Sequence, residues 1–312
     1  MKIVLLDRAT LGSVDLSLFK RYGNFDIFET TTKEETIERV KDCDIVITNK
    51  VVIDKQVMQN CKNLKLICIA ATGMNNVDLD FANECGIEVK NVAGYSTASV
   101  VQTTFTLLFT LIGHSCYYDK YVKSKTWSKS AIFTNLDKEF FEIKGKTWGV
   151  IGLGEIGKNV ANIASSFGAD IIYYSTSGVN RNSDFHRVNL DVLLKNSDII
   201  SIHAPLNKKT KNLIKKEELS QMKKGSVILN LGRGGIINEV DLAYALDHYD
   251  IYAGMDVAEV EPMREENPLL HVEHKESVIF SPHIAWASRE SRATLVQMIA
   301  KNIENFIKNK ER

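Results

Sequence analysis

The chain predicts an α/β protein built as two doubly wound parallel-sheet domains, and three observations carry the prediction. Its 312 residues fit about two domains of roughly 150 residues each. Short apolar runs alternate with amphipathic ones along nearly the whole length, the pattern of a parallel sheet faced by helices. Finally, the apolar run Thr147–Ile151 is followed by Gly152, Gly154 and Gly157 at GxGxxG spacing, and then by Ile156, Val160, Ile163, Ala164 and Phe167 on one helical face. Strand, glycine turn and helix in that order let a backbone approach a pyrophosphate at the helix N-terminus. The glycine spacing alone fits a tight strand-to-helix turn equally well.

In chain order, strands are expected over residues 3–6, 27–29, 44–48, 65–70 and 88–92, with helices near 16–22, 33–41, 55–60 and 78–85. A long helix is expected over 99–121, capped by Ser96 or Thr97, and then an aromatic segment over 127–142 with no clear period. That helix reads as the crossing between domains, and its aromatic and leucine content also suits a subunit interface. The second series has strands at 147–151, 170–174, 198–203, 226–230, 251–256 and 278–280, with helices at 190–195, 216–222 and 239–248. A last amphipathic helix, after 287 and through about 307, adds no strand and is expected to pack back on the first series. The domains expected are therefore 1–98 plus 287–312, discontinuous, and 99–286.

Composition excludes several classes. Lys plus Arg number 39 and Asp plus Glu also 39, so no net field draws the chain to nucleic acid or to an anionic membrane. The N-terminus, MKIVLLDRAT, is charged too soon for a signal peptide. The most apolar stretch, 100–112, is interrupted by Gln102 and four threonines and falls short of a bilayer span. A cytoplasmic protein is expected. Five cysteines show no CxxC and no histidine at ligand spacing, which argues for buried reduced thiols and no metal.

Ligands of open α/β sheets bind beyond the carboxyl ends of strands. In the second series those places hold Ser175, His203, Arg233, Asp256, Glu261 and His283. Arg233, between glycines in NLGRGG, offers a planar fork suited to a carboxylate, although a solvated loop arginine fits the same pattern. His283, in SPHIAW, is of the residue type best suited to exchange a proton with a substrate oxygen, and Glu261 in VEP is placed to hold its ring. A structural histidine fits that spacing too. Three of the four prolines adjoin these polar residues, at Pro205, Pro262 and Pro282, where a fixed φ aims a neighbouring side chain or ends a strand.

Seven stretches, ATGMNNVDLDFANECGI, NVAGYSTASV, GKTWGVIGLGEIG, HAPLNKKTKNLI, NLGRGGIINEVDLAYAL, AGMDVAEVEP and SPHIAWASRES, occur in an order that resembles the D-isomer-specific 2-hydroxyacid dehydrogenase family over essentially the whole chain. ATGMNNVD, GYSTASV and HIAWAS are closest to its glycerate dehydrogenase/hydroxypyruvate reductase members. The resemblance implies a Rossmann cofactor domain inserted in a flavodoxin-like substrate domain. It implies that Arg233 binds the substrate carboxylate and carbonyl, that His283 is the acid/base partnered by Glu261, and that Gly73 and Met74 offer backbone N–H groups to the carboxylate. It further implies an NAD or NADP cofactor held at Gly152, Gly154, Glu155, Ile156, Gly157, Ser175, Ala204, Pro205, Thr210, Leu231, Gly232 and Asp256, the last accepting from the carboxamide. A small 2-keto/2-hydroxy acid substrate and a homodimer follow from the same likeness. A short phosphoglycerate dehydrogenase and an NAD(H)-sensing, corepressor-like protein are the alternatives.

One departure stands out. NAD-preferring members usually carry an acid at the end of the second strand for the adenosine ribose; here the place is Ser175, in YYSTSG. Without that carboxylate a 2′-phosphate is not repelled, and Ser175, Thr176, Ser177 and Arg181 suit it. NADP(H) is therefore expected to be tolerated.

Overall fold

Residues 1–179 and 184–310 are described by a computed structural model, in which the chain divides into two units, Met1–Ser96 with Trp286–Arg312, and Thr97–Ala285. In the first unit five parallel strands, β1 (Lys2–Leu5), β2 (Asn24–Ile27), β3 (Ile45–Thr48), β4 (Leu66–Ile69) and β5 (Glu88–Lys90), lie in the order β2-β1-β3-β4-β5. The central strands IVIT and LICI are buried at every position, because helices cover both faces of a parallel sheet and leave no side for water. One face packs Ile3, Leu5, Ile45, Ile47 and Leu66 against Leu295, Ile299, Ile303 and Phe306 of the terminal helix Arg289–Lys310. The other packs Val4, Val46, Ile67 and Ile69 against Val40, Val57, Met58 and Ala82.

The strand order reverses between β1 and β3, the crevice where a doubly wound sheet ordinarily takes a ligand. Asp7, just past β1 and 4% exposed, fills it. Its carboxylate accepts the N–H groups of Asn49, Lys50 and Val51 at 3.0, 2.6 and 3.3 Å and lies 3.4 Å from the Thr48 hydroxyl.

The second unit holds β6 (Thr147–Ile151), β7 (Asp170–Tyr174), β8 (His186–Arg187), β9 (Ile199–Ile202), β10 (Ser226–Asn230), β11 (Ile251–Met255) and β12 (Val278–Phe280), all parallel, in the order β12-β11-β10-β9-β6-β7-β8. Here the order reverses between β9 and β6. The glycine turn leaves β6 at that reversal.

Three expectations need correction, and one strand was not expected. The long helix is two helices, Thr97–Ile112 and Ser115–Lys123. Gly113, whose Cβ would crowd the Phe109 carbonyl at 2.8 Å, and His114, left-handed at φ 47°, end the first of them. The segment 16–22 winds as a 3-10 helix, Ser17–Tyr22. The short edge strand β8 has no apolar alternation and follows residues 180–183, which are outside the described residues. Cysteine burial is mixed: Cys43, Cys61 and Cys68 are buried, and Cys85 and Cys116 exposed. Burial pushes the Cys43 thiol up to about 12 and that of Cys61 to about 11. Cys116 lies on a helix that buries none of its residues. Among the described residues no helix is long and apolar enough to cross a membrane.

Candidate functional site

The glycine turn is explained by two different demands. Gly152 has φ 93°, and a Cβ there would meet the Ala204 nitrogen at 2.9 Å; a Cβ on Gly157 would lie 2.3 Å from the Gly152 carbonyl oxygen. Those two positions are set by the chain's own packing. Gly154, at φ −81°, caps the helix Glu155–Ser166 with no side-chain bond, and a Cβ on it would meet nothing within 4 Å. No protein atom requires glycine there, whereas a phosphate drawn onto the helix N-terminus does require bare backbone.

Two buried polar groups flank that turn. Ser175, after β7, has its hydroxyl buried, and His203, after β9, both ring nitrogens, none with a hydrogen-bond partner among the described residues. Burial pushes His203 down to about 3, so its ring is neutral. Orphaned polar atoms at strand ends beside an open helix N-terminus fit a bound dinucleotide, which would supply partners along the same sheet edge.

Arg233 follows β10 and is exposed, with Nη1 donating to the Gly232 carbonyl at 2.8 Å. Its loop is set by Asn230, a fully buried amide at the strand end. Asn230 Oδ1 accepts the Gly232 N–H at 3.1 Å, and Nδ2 donates to the Arg233 carbonyl at 2.9 Å. Sequence reasoning missed Asn230; its one signal is a polar residue closing an otherwise apolar strand.

His283 is reached through Asp256. The Asp256 carboxylate, 2% exposed, accepts the Ser281 hydroxyl at 2.5 Å and the N–H groups of Ile284 and Ala285 at 3.0 and 3.1 Å, while its carbonyl accepts the His283 N–H at 2.8 Å. Burial raises the Asp256 carboxyl above the usual range, opposed by the bonds from Ser281, Ala285 and Ile284. This brace holds His283 in a left-handed backbone, φ 53°, a conformation a non-glycine residue keeps only when its surroundings dictate it. In that pose Nδ1 stands 2.6 Å from Glu261 Oε2, and Glu261 Oε1 accepts the Ala258 N–H at 3.1 Å. Both ends of the glutamate are therefore committed, and Nε2 is the nitrogen left for chemistry.

Other expected residues fall as follows. Ala204 is buried between Gly152 and Gly232, whose Cβ atoms would both strike it. Pro205 is exposed, as is Glu155; Ile156 is half-buried and Leu231 buried. The Thr210 hydroxyl is engaged inside its own loop, donating to the Pro205 carbonyl at 2.7 Å and accepting the Asn207 N–H at 2.8 Å. Thr176 and Ser177 lie in the turn after Ser175, closed by Gly178 N–H to the Ser175 carbonyl at 3.2 Å; Arg181 lies outside the described residues. Gly73 and Met74 belong to the first unit, in the loop after β4, which Thr72 ties to the Val92 carbonyl at 3.0 Å. No group of three or more metal-ligating side chains occurs among the described residues.

Residues 105–285 match the family described as D-isomer specific 2-hydroxyacid dehydrogenase, NAD binding domain. The hydroxypyruvate reductase of Blautia hydrogenotrophica is 36% identical over 316 residues, covering 99% of this chain and 97% of that protein. Among solved structures, the D-lactate dehydrogenase of Aquifex aeolicus complexed with NAD and lactic acid has a TM-score of 0.85 at 25% identity, over 99% of this chain and 96% of that one. An acyclic imino acid reductase, Bsp5, in complex with NADPH and D-arginine has a TM-score of 0.87 at 28% identity, over 99% and 98%.

Proposed function

The chain belongs to the D-isomer specific 2-hydroxyacid dehydrogenase family, and from that membership we propose an NAD(P)-dependent reductase of small 2-keto acids, hydroxypyruvate or glyoxylate, that oxidises glycerate in the reverse direction. The observation that carries it is the contact between His283 Nδ1 and Glu261 Oε2 at 2.6 Å. Glu261 holds one ring nitrogen, so Nε2 is directed at the substrate and gives its proton to the C2 oxygen during reduction, or takes it back during oxidation. Arg233 binds the carboxylate and stabilises charge gathering on the same oxygen. The nicotinamide, when bound, supplies or takes the hydride at C2.

We assign the cofactor to the unit Thr97–Ala285, at Gly152, Gly154, Gly157, Ser175, Ala204 and Asp256. NADPH is accepted as well as NADH, because the ribose position is Ser175 and no carboxylate stands there to repel a 2′-phosphate. The homodimer is also proposed, with different support from that expected. The helix Thr97–Ile112 buries most of its apolar residues within its own unit. Four strongly exposed apolar side chains lie close together in sequence beyond it, Ile132, Phe133, Leu136 and Phe140, at 63, 89, 76 and 68%. Such a surface fits a second copy of the chain.

A steady-state panel of 2-keto acids against both reduced cofactors tests the activity. Turnover of hydroxypyruvate or glyoxylate is expected. Tight cofactor binding without turnover of any member overturns the reading in favour of a sensing protein.

A further inference from the structure

One residue, Ala258, lies against the loops that carry the three residues assigned to the reaction in the second unit. Gly234 follows Arg233 and is packed so closely on Ala258 that a Cβ would stand 1.9 Å from the Ala258 carbonyl oxygen. The N–H of the same Ala258 donates to Glu261 Oε1 at 3.1 Å, and the other oxygen of Glu261 meets His283. Any shift of Ala258 and its peptide bond to Glu259 is therefore felt by the Arg233 loop through the carbonyl and by the Glu261–His283 pair through the N–H.

Glu239 holds that peptide. It opens the helix Glu239–His248, is 8% exposed, and accepts the Glu259 N–H at 2.6 Å on Oε1 and Asn267 Nδ2 at 2.7 Å on Oε2. Asn267 Oδ1 accepts the Leu269 N–H at 3.0 Å, which fixes the orientation of the amide. One side chain thus pins residues 257–267 near both ends, with Glu261 between. The helix does not need an acid here for its cap, since Asn238 already accepts the Asp241 N–H at 3.0 Å. A favourable charge in the first turn needs neither burial nor two donors from a distant loop.

We propose that Glu239 is a positioning residue for the reaction, fixing the Ala258–Glu259 peptide and through it the placement of Arg233, Glu261 and His283. The inference rests on the reading of those three as the reacting set.

Glu239→Gln keeps the shape but turns one acceptor into a donor facing Asn267 Nδ2. The double variant Glu239→Gln/Asn267→Asp reverses donor and acceptor across the pair, restoring both bonds while the second oxygen at 267 still accepts the Leu269 N–H. In the single variant kcat falls about tenfold, since a displacement well under 1 Å is costly at a reacting centre. KM for the 2-keto acid, NADH affinity by fluorescence and the melting temperature stay near wild type, and the double variant recovers kcat. Asn267→Ala, which removes only the far contact, lowers kcat less and decides the matter should Glu239→Gln not fold. Wild-type kcat in these single variants, a parallel loss of kcat and NADH affinity, or a double variant no better than the single overturns the proposal. An active wild type with an indifferent Glu239 tells against this inference alone; a wild type inert across the panel overturns both.

Discussion

Glu261 Oε2 lies 2.6 Å from His283 Nδ1, across 22 residues of sequence, and Asp256 braces the loop that carries the imidazole. The two carboxylates act differently: one holds the ring, the other holds the backbone beneath it. His283→Ala is expected to lower kcat by about 10²- to 10⁴-fold, the range for a positioned proton-transfer group, with NADH binding unchanged by fluorescence titration. Full turnover in that variant removes His283 from its role.

The glycines of the turn separate cofactor binding from stability. Gly157→Ala places a methyl 2.3 Å from the Gly152 carbonyl oxygen, so thermal or urea unfolding should show a loss of about 3 kcal/mol. Gly154→Ala meets no protein atom within 4 Å and should leave unfolding unchanged while raising the NADH dissociation constant about tenfold, or ~1.4 kcal/mol. Unimpaired NADH binding in Gly154→Ala would mean that the diphosphate lies elsewhere.

The proposed tolerance for both cofactors is tested at Ser175. NADH and NADPH should both support turnover, and Ser175→Asp should depress kcat/KM with NADPH far more than with NADH, by repulsion of the 2′-phosphate. A wild-type preference for NADH above about a hundredfold, or ~3 kcal/mol, counts against the proposed tolerance.

His203 makes the fold acid-sensitive. Its pKa is 6.5 unperturbed and is pushed down to about 3 by burial. Between those values the unfolded chain holds a proton that the folded chain does not, so stability drops as pH falls, by about 1.4 kcal/mol per unit from this group. Urea melts from pH 6.5 downward should show that slope in the wild type and a shallower one in His203→Leu. Parallel curves would place the acid sensitivity in other groups.

The exposed segment bearing Phe133 and Phe140 predicts a dimer. Light scattering should give twice 35.1 kDa, and Phe133→Asp with Phe140→Asp should yield the monomer. A wild-type monomer at micromolar concentration refutes it.

The fold was legible where chemistry repeats along the chain. β6, β7, β10 and β12 keep the bounds expected of them, and β10 is buried at every position, as expected for a strand covered by helices on both faces. The helix break was hidden because 99–121 keeps an apolar period across Gly113, and only the left-handed His114 shows that the axis stops. Arg233, Glu261 and His283 could be singled out because each follows a strand and adjoins glycine or proline. Asn230, which bonds its near neighbours Gly232 and Arg233, showed only as a polar strand end, and Glu239 and Ser281 not at all, because their work is done on distant partners such as Glu259 N–H, 20 positions from Glu239. Bonds of that kind leave no period in the sequence.

Asp7 has a consequence for the architecture as a whole. Both sheets are doubly wound and each has a reversal point, but in the first the amide groups of Asn49, Lys50 and Val51 already have an anion, one tethered to the chain. A tethered carboxylate cannot be diluted, exchanged or outcompeted by cellular phosphates. At its reversal point the first unit thus carries its own counter-charge, where the second leaves a helix N-terminus without a side-chain cap.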